Sequence, residues 1–514
     1  MRRGAKRSGR GQRKLARVAD SLAHQLPWIN LVNPYPPLEP LSGDQLGAIH
    51  EASMTVLEDY GIEVLSERVR ASFRGAGARV DDSRGIVRPD RELVLDLVAR
   101  APGAFSLTPR NPNRQLEVGG AHIHFGMVSG PPNVHDCVNG RRPGNFADYE
   151  RLVQLGQTFN AIHFFGNQSV APIDLPAQTR HLDTYRASLI LSDKVFSAVP
   201  IGRGRVRDAV EMVARARGLS LGELAISPSL FGNININSPR KLDEAMSEGA
   251  LALAEYGQAV IVTPFTLMGA MTPVTLAAGL VQQNAEALFG IAMVQLFFPG
   301  TPVVYGGFTS NVDMRSGAPA FGTPENAKAN LAGGQLARHY GLPYRSSGCN
   351  ASNTADAQAV YETQMSLWSA VLGNGNLLYH AAGWLEGGLV ASFEKVIIDV
   401  EMLQNLTCLF SKPKVNTEEL ALDTIGAVPP GGHFFGTEHT MQRYESAFYQ
   451  PLLSDWQNNE SWVEAGAKDA TQRATDLWQQ AIHSFEPPPI DPGRLEAIDE
   501  YVEKRKHEIG SGEP

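Results

Sequence analysis

The residues of this chain that could do chemistry are mainly aromatic rings, amides and glycines, and they follow short runs of β-branched or aromatic residues. The segments that share this placement are 163–167, 233–237, 305–308, 349–350 and 379–384. Ring faces can hold a cation, and an apolar pocket with a few polar anchors suits a small ligand. Phosphoryl transfer is disfavoured because it needs lysine, arginine and metal-bound carboxylates, which are scarce in these segments.

His380 is the strongest candidate for a catalytic or substrate-anchoring residue. It ends a predicted strand and precedes a glycine-rich, aromatic turn at 381–388, which is where barrel enzymes place their functional groups. His122 and His124 share one strand face and could bind a metal, but without a third ligand nearby a structural role is favoured. His163, inside an apolar strand, fits a core histidine equally well. We therefore predict no metal site.

The elements that must position these residues alternate regularly between strand and helix. Strand-like runs recur at 162–165, 195–200, 230–236, 260–263, 303–308, 344–347 and 377–380, and an eighth candidate lies at 122–128. Helix starts are predicted at the pairs Ser238-Pro239, Thr272-Pro273 and Thr323-Pro324. Eight such units in about 290 residues predict an α/β fold, a (β/α)₈ TIM barrel, rather than an open sheet. No GxGxxG motif follows the first strand, which further disfavours a Rossmann fold.

The barrel is predicted at 121–412, with helical additions at both ends. Residues 26–120 form an N-terminal helical and β extension, in which Ser42 and Gln45 are a capping box, and 413–514 form a C-terminal helical extension. Residues 1–25 are predicted to be a disordered basic tail, because the first 17 contain eight Arg or Lys and no acid. Since the whole chain carries −9, the remainder is strongly acidic and would repel a nucleic acid.

A cytoplasmic location is expected from the cysteines and from the lack of a secretory signal. Cys137, Cys349 and Cys408 are far apart, as in a reduced protein rather than a disulfide scaffold. The stretch between Glu255 and Asp313 has one charged residue, but prolines interrupt it before it reaches the length of a membrane span. We predict a buried strand, a buried helix and a second buried strand there, and no membrane segment.

Several segments resemble the trimethylamine methyltransferase family of corrinoid-dependent enzymes. They are the sequences Asp-Met-Arg-Ser-Gly-Ala-Pro at 313–319, Asp-Ala-Gln at 356–358 with Tyr361-Glu362, Ala-Gly-Trp-Leu-Glu-Gly-Gly at 382–388 and His-Phe-Phe-Gly-Thr-Glu-His-Thr at 433–440. Their order and spacing cover roughly 40–455, nearly all of the folded chain. The resemblance implies a (β/α)₈ barrel that moves a methyl group from an amine to the cobalt of a separate corrinoid protein. It implies no tightly bound cofactor in this chain.

Thr354 occupies the position at which archaeal trimethylamine enzymes of that family carry pyrrolysine. Members without pyrrolysine act on quaternary amines such as glycine betaine, so the resemblance implies that substrate class here. A quaternary nitrogen can lose a methyl group to Co(I) without any proton transfer, so the protein needs only to orient the substrate and exclude water. The substrate-binding residues that we predict beside His380 are Phe165, Tyr305 and Tyr361 as an aromatic cage, Asn235 and Trp384, and Gln358 and Glu386 as orienting residues.

Three other interpretations remain open from the sequence. The chain could be a ligand-binding or sensor protein that has lost corrinoid-dependent turnover, a trimethylamine methyltransferase, or a barrel enzyme of unrelated chemistry such as a lyase. Glycine betaine, carnitine, choline and proline betaine are not separable by residue type. Because helical additions on barrels often lie at subunit contacts, we expect a homo-oligomer.

Overall fold

Eight parallel strands form a closed barrel in the computed structural model, which describes residues 25–510. The strands are β1 (His122–Met127), β2 (Phe164–Phe165), β3 (Val195–Ala198), β4 (Phe231–Ile234), β5 (Ala259–Val262), β6 (Val303–Gly306), β7 (Tyr344–Ser347) and β8 (Leu377–Ala382). Each strand pairs with the next, and β8 pairs back with β1, so the barrel has no open edge. The predicted (β/α)₈ barrel is confirmed, including the first strand at 122–128.

One long helix follows each strand. These are α1 (Phe146–Thr158), α2 (Arg180–Leu191), α3 (Arg203–Arg217), α4 (Glu244–Glu255), α5 (Leu276–Phe297), α6 (Pro324–His339), α7 (Ala357–Leu372) and α8 (Phe393–Leu409). The predicted cap Thr323 accepts a hydrogen bond from the Asn326 amide and starts α6. The predicted starts at Ser238-Pro239 and Thr272-Pro273 are wrong.

The two wrong helix starts have local causes. The Ser238 hydroxyl donates to Glu286 instead of capping a helix, and α4 begins after Asp243, whose side chain accepts from the Met246 amide. The backbone at Thr272 closes a turn on the carbonyl of Leu267, so α5 begins three residues later than predicted. In both places the predicted cap and its proline lie in the turn after the strand and not at the start of the helix.

The amino-terminal half of the barrel interior is filled, and a hairpin lies against it. Phe164, Phe231, Ile261, Val304 and Leu377 form one buried cluster with side chains of the hairpin Ala104–Leu107 and Leu116–Gly119. These strand residues alternate with outward-facing ones, as the two-residue period of a strand requires. Room for a ligand therefore remains at the carboxyl ends of the strands.

The loops after the barrel strands carry two further small sheets. One consists of Phe265–Met268, Phe308–Val312 and Pro319–Ala320, in the loops after β5 and β6. The other consists of Asn133–Asp136, Gly140–Pro143, Trp384–Leu385 and Val390–Ser392, after β1 and β8. Both extend the wall of the barrel beyond its carboxyl end.

Most of the remaining described elements lie before or after the barrel. Upstream are the helices Gly43–Thr55, Val56–Tyr60, Glu67–Gly75 and Arg91–Val98, and the strands Leu31–Val32, Ile62–Val64, Arg79–Asp81 and Ile86–Arg88. Leu221–Ala225 and Lys241–Leu242 lie within the barrel region. Downstream are the helices Thr417–Leu420, Leu422–Ala427, Glu438–Met441, Asn459–Glu464, Ala470–His483 and Pro492–Gly510. The predicted basic tail lies outside the described residues except for residue 25.

The long apolar stretch forms a buried strand, a buried helix and another buried strand, as predicted. β5 and β6 are wholly buried, and most of α5 lies beneath the upstream helices that pack on it. Among the helices within 25–510, none combines the length and apolar character that crossing a membrane requires.

Candidate active site

A cavity of about 300 Å³ opens at the carboxyl end of the barrel. This is the end at which (β/α)₈ barrels place their active sites, because the βα loops converge there. Its lining comes from most of the strands and from the two added sheets. The lining residues are Ser129, Gly130, Asn167, Ser197, Asn233, Asn235, Thr263, Phe265, Phe308, Arg345, Tyr379, His380, Trp384, Gly387, Gly388 and Leu389.

Arg345, in the middle of β7, places a buried guanidinium in the wall of this cavity. The residue is 2% exposed, and its guanidinium carbon lies 5.0 Å from the ring centre of Phe308 and 4.5 Å from that of Tyr379. Within the described part of the chain, no carboxylate forms an ion pair with it. Burial lowers the pKa of Arg345 from its usual value, but a guanidinium keeps its charge in proteins. The cavity therefore contains a positive charge.

His380 lies beside Arg345 because β8 is irregular at its carboxyl end. Between the pairs Leu378–Phe125 and Ala382–Met127, β8 has two more residues than β1. His380 takes a left-handed backbone conformation with φ of 57°, which is strained for a residue other than glycine. Through this irregularity the neighbours Tyr379 and His380 both line the cavity, whereas a regular strand would turn one of them outward.

The His380 ring is neutral at neutral pH. Burial, and secondarily the charge of Arg345, holds the pKa of His380 well below its usual value. The Arg345 Nη2 group, which can only donate, lies 3.4 Å from His380 Nε2. Nε2 is therefore the acceptor, and the ring proton belongs on Nδ1, which has no partner among residues 25–510. Ring contacts to Trp384 and Phe308, at 4.1 and 5.9 Å between centres, fix its orientation.

Another part of the lining consists of amides and hydroxyls that bond to one another. Thr263 donates to Asn233 at 2.6 Å, Asn233 donates to Asn235 at 3.2 Å, and Ser129 donates to Asn167 at 2.6 Å. The lining contains no carboxylate, lysine or cysteine, and no group of three or more potential metal ligands occurs among residues 25–510. The cavity can hold and orient a ligand, but it offers no acid–base pair and no activated nucleophile.

A buried ion pair supports the turn that carries Trp384. Lys395 and Asp399 of α8 pair with each other, and the Asp399 carboxylate accepts from the Gly383 amide at 2.8 Å. The Trp384 indole donates to the carbonyl of Asn350 at 3.1 Å, so the ring is held from both sides of the turn. A side chain fixed in this way can present a preorganised face to a ligand.

Of the site residues predicted from the sequence, His380, Asn235 and Trp384 line the cavity. Phe165 does not, because Phe164 faces the barrel interior and its neighbour therefore packs outward against α1, where an added Cβ on Gly156 would come within 2.4 Å of its ring. Tyr305 faces outward for the same reason. Its hydroxyl donates to Asn284 of α5 at 3.0 Å.

Tyr361 and Gln358 lie on the outer surface of α7. Tyr361 is 62% exposed, and the Gln358 amide donates to Glu362 at 2.8 Å. Neither reaches the cavity, since both occupy the solvent-facing side of a helix whose other side packs on the barrel.

Glu386 and Thr354 lie in loops near the cavity without lining it. Glu386 pairs with Arg141 at 3.0 Å, and Thr354 is exposed in the loop between β7 and α7. The Thr354 amide approaches the Ser352 hydroxyl at 3.4 Å. The rings that line the cavity are Phe265, Phe308, Tyr379 and Trp384, which the two added sheets and β8 bring there.

Sequence reasoning also missed Arg345. The sequence did contain an indication, because Arg345 is the single charged residue in the run Tyr-Arg-Ser-Ser of a strand predicted to be buried. Arginine is almost never fully buried unless it has a partner, so its presence there suggests a specific role.

Comparison with known proteins identifies the family. The profile described as Trimethylamine methyltransferase (MTTB) matches residues 6–510. The chain belongs to the trimethylamine methyltransferase family. The family resemblance noted in the sequence is confirmed.

Relatives within the family fall into two substrate groups by name. A glycine betaine methyltransferase of Desulfitobacterium hafniense (strain Y51) is 37% identical over 91% of this chain and 98% of that protein. A trimethylamine methyltransferase of the same species (strain DSM 10664 / DCB-2) is 29% identical, over 91% of this chain and 94% of the relative. A trimethylamine methyltransferase of Methanosarcina barkeri (strain Fusaro / DSM 804) is 28% identical, over 90% of this chain and 94% of the relative. The predicted enzyme class, a methyltransferase, agrees with all three.

Proposed function

We propose that this protein transfers a methyl group from a quaternary amine, glycine betaine or a close relative, to the Co(I) of a separate corrinoid protein. The observation that carries the proposal is the cavity at the carboxyl end of the barrel, where Phe265, Phe308, Tyr379 and Trp384 contribute rings and no carboxylate or lysine is present. Such a lining binds an alkylated cation by its ring faces. It offers no acid–base pair for proton transfer.

The chemistry of a quaternary amine matches this lack of acid–base groups. A bound corrinoid would supply the electron pair that takes up the methyl group, and the electron pair of the broken carbon–nitrogen bond would stay on the nitrogen, so the residues of the cavity would need only to orient that bond. The amine leaves neutral, so no proton is moved. His380, neutral and without a protein partner at Nδ1, is suited to orienting the substrate rather than to titrating during the reaction.

The cavity fits the substrate and leaves the corrinoid outside. A volume of about 300 Å³ is at the lower end for drug-sized ligands and is ample for a small betaine, but it is too small to enclose a corrin ring. Gly130, Gly387 and Gly388 contribute small residues to the lining. We infer that the corrinoid protein meets this open end of the barrel.

The rings must hold the ammonium group without holding it too tightly. Each ring face in contact with the cation contributes about 0.5–2 kcal/mol. Because the positive charge disappears as the methyl group leaves, stabilisation of the cation beyond that needed for binding would slow the reaction. A neutral His380 beside Trp384 adds no negative charge that would stabilise the cation further.

The substrate class is further supported by the relatives and by Thr354. The glycine betaine methyltransferase of D. hafniense is more similar to this chain than the trimethylamine methyltransferases described above. Thr354, at the position that the resemblance assigns to pyrrolysine, is an ordinary exposed loop residue. Trimethylamine as a substrate, and ligand binding without turnover, are the alternatives that the experiment must separate.

The experiment is a calorimetric titration with glycine betaine, carnitine, choline, proline betaine, trimethylamine and dimethylamine, followed by a methyl-transfer assay with a reduced corrinoid protein. Saturable binding of a quaternary amine, and methylation of cobalt only when that amine is present, are expected. Binding of trimethylamine alone would contradict the proposed substrate class. Binding without any methyl transfer to several corrinoid proteins would favour a sensor.

We also propose a cytoplasmic homo-oligomer. The three cysteines are unpaired, which fits a reducing compartment. Large apolar side chains are exposed in the segment 411–463, among them Val415, Leu422, Phe435, Phe448 and Trp456, and a contact with a second copy would remove them from water. Sedimentation velocity at micromolar concentration tests this, and a single monomeric species would contradict it.

A further inference from the structure

We propose that Arg345 selects for substrates that carry a carboxylate near the quaternary nitrogen and against cations that lack one. The proposal rests on the function proposed above and narrows its substrate class to betaines. Arg345 is not among the residues that support the proposed function. If Arg345 selects in this way, choline and simple alkylammonium ions are poor ligands of the same cavity.

The aromatic rings hold the Arg345 guanidinium while leaving its donors available. Its carbon lies 5.0 Å from the Phe308 ring centre and 4.5 Å from the Tyr379 ring centre, contacts that orient the plane without using N–H groups. The polar contacts are weak. Nη1 is 3.5 Å from the carbonyl of Gly307, Nη2 is 3.4 Å from His380, and Nε has no partner. Donors within the plane therefore remain for a ligand.

A buried guanidinium without a carboxylate is costly to a protein. Removing the charge from water is unfavourable unless an anion and hydrogen bonds replace the solvent. Arg345 is 2% exposed yet lines an open cavity. A ligand carboxylate is the chemistry that completes this arrangement, because a guanidinium edge binds a carboxylate through two parallel hydrogen bonds.

The same charge discriminates against ligands that are cations only. A trimethylammonium group in a cavity of about 300 Å³ cannot lie far from Arg345, so the two positive charges repel each other at a reduced effective dielectric constant. In a betaine the carboxylate lies between the two cations and reverses the sign of the interaction. The cavity lining contains no carboxylate that could do this for choline.

The experiment uses four ligands that differ one charge at a time. Glycine betaine and choline share the trimethylammonium group, whereas 3,3-dimethylbutyrate and 3,3-dimethylbutan-1-ol are their carbon isosteres without that charge. Binding of each is measured by calorimetry to the full chain, to Arg345→Met and to Arg345→Lys. Arg217→Met is the matched control, because Arg217 is a partly buried arginine that bonds to Ser227 and Ser229.

The expected result is a change of preference rather than a general loss of binding. The unaltered protein binds glycine betaine about 100-fold more tightly than choline. Arg345→Met loses about 100-fold for glycine betaine and for 3,3-dimethylbutyrate, while its affinity for choline rises about 10-fold. Arg345→Lys keeps part of the betaine affinity, and Arg217→Met leaves the preference unchanged.

Two results with the quaternary amines would overturn the proposal. One is equal binding of glycine betaine and choline by the unaltered protein, and the other is an equal loss of both ligands in Arg345→Met, which would indicate a structural role. If no quaternary amine binds, the proposed function fails while Arg345 is still tested. Binding of 3,3-dimethylbutyrate that disappears in Arg345→Met would then support the carboxylate site. The absence of measurable binding of both carbon isosteres would reject it.

Discussion

Replacing His380 by alanine should lower kcat/KM for glycine betaine while the protein still folds. The ring contacts Trp384 at 4.1 Å between centres and accepts from Arg345 at 3.4 Å. An aromatic contact contributes about 0.5–1.5 kcal/mol, and a long hydrogen bond from a charged donor contributes about 1 kcal/mol. Both contacts lie within the protein and contribute to stability, whereas a hydrogen bond from the His380 Nδ1 group to the substrate, worth about 2 kcal/mol, corresponds to about 30-fold in kcat/KM for glycine betaine.

The backbone at His380 requires a matched control. Its φ of 57° is one that alanine adopts less readily than histidine or asparagine, which would lower the stability of His380→Ala for a reason unrelated to the ligand. Asparagine tolerates this conformation and offers an acceptor oxygen, so His380→Asn should retain more activity than His380→Ala. Rates come from methyl transfer to a reduced corrinoid protein over a range of glycine betaine concentrations, with thermal melts of each variant. Unchanged kinetics in His380→Ala would remove His380 from the site.

The remaining predictions concern residues whose positions the structure decides. Trp384→Ala should raise the Kd for glycine betaine about 3- to 30-fold, whereas Tyr361→Ala on the outer face of α7 should leave it unchanged, both by calorimetry. Tyr305→Phe should lose about 1–3 kcal/mol of unfolding free energy without a change in kinetics, because its hydroxyl bonds to Asn284 behind the barrel wall. Burial raises the pKa of Glu286 to about 7, so its contribution to stability is fully present below its unfolded pKa near 4.5 and is lost as pH rises through 7. Urea unfolding from pH 5 to 8 should therefore show about 3 kcal/mol more loss in the unaltered protein than in Glu286→Gln.

Each of these predictions has a contrary outcome. Equal effects of Trp384→Ala and Tyr361→Ala would mean that the cage is not in the cavity. A kinetic defect in Tyr305→Phe at full stability would return that residue to the site. Parallel pH profiles for Glu286→Gln and the unaltered protein would show that Glu286 is ionised in the folded state across this range.

The pattern of strands and helices was readable from the sequence because it depends on local chemistry. Asn145 caps α1 and Thr323 caps α6, and the run at 122–128 is the first barrel strand. The alternation of these elements was sufficient to predict a closed barrel. The wrongly predicted helix starts at Ser238 and Thr272 show the limit of such local patterns. A capping residue followed by proline also fits the turn after a strand.

The aromatic residues show which side-chain positions the sequence does not reveal. Phe165 and Tyr305 end strands and looked like cage residues, but each follows an inward-facing neighbour and therefore points to the surrounding helices. The direction of a strand side chain depends on register, and a shift of one residue reverses it. Residue types at strand ends therefore indicated an aromatic cavity lining without indicating which rings form it.

The sequence by itself determined the barrel, the family and the aromatic, carboxylate-poor character of the strand ends, because composition, periodicity and motif order are properties of the chain. Only the tertiary structure decided that Arg345 is buried without a carboxylate, that two added sheets bring Phe265, Phe308 and Trp384 to the cavity, and that His380 turns inward. These facts depend on strand register and on an irregular pairing between β8 and β1, segments that lie some 250 residues apart. Such pairing is set by packing across the whole barrel, and local sequence does not encode it.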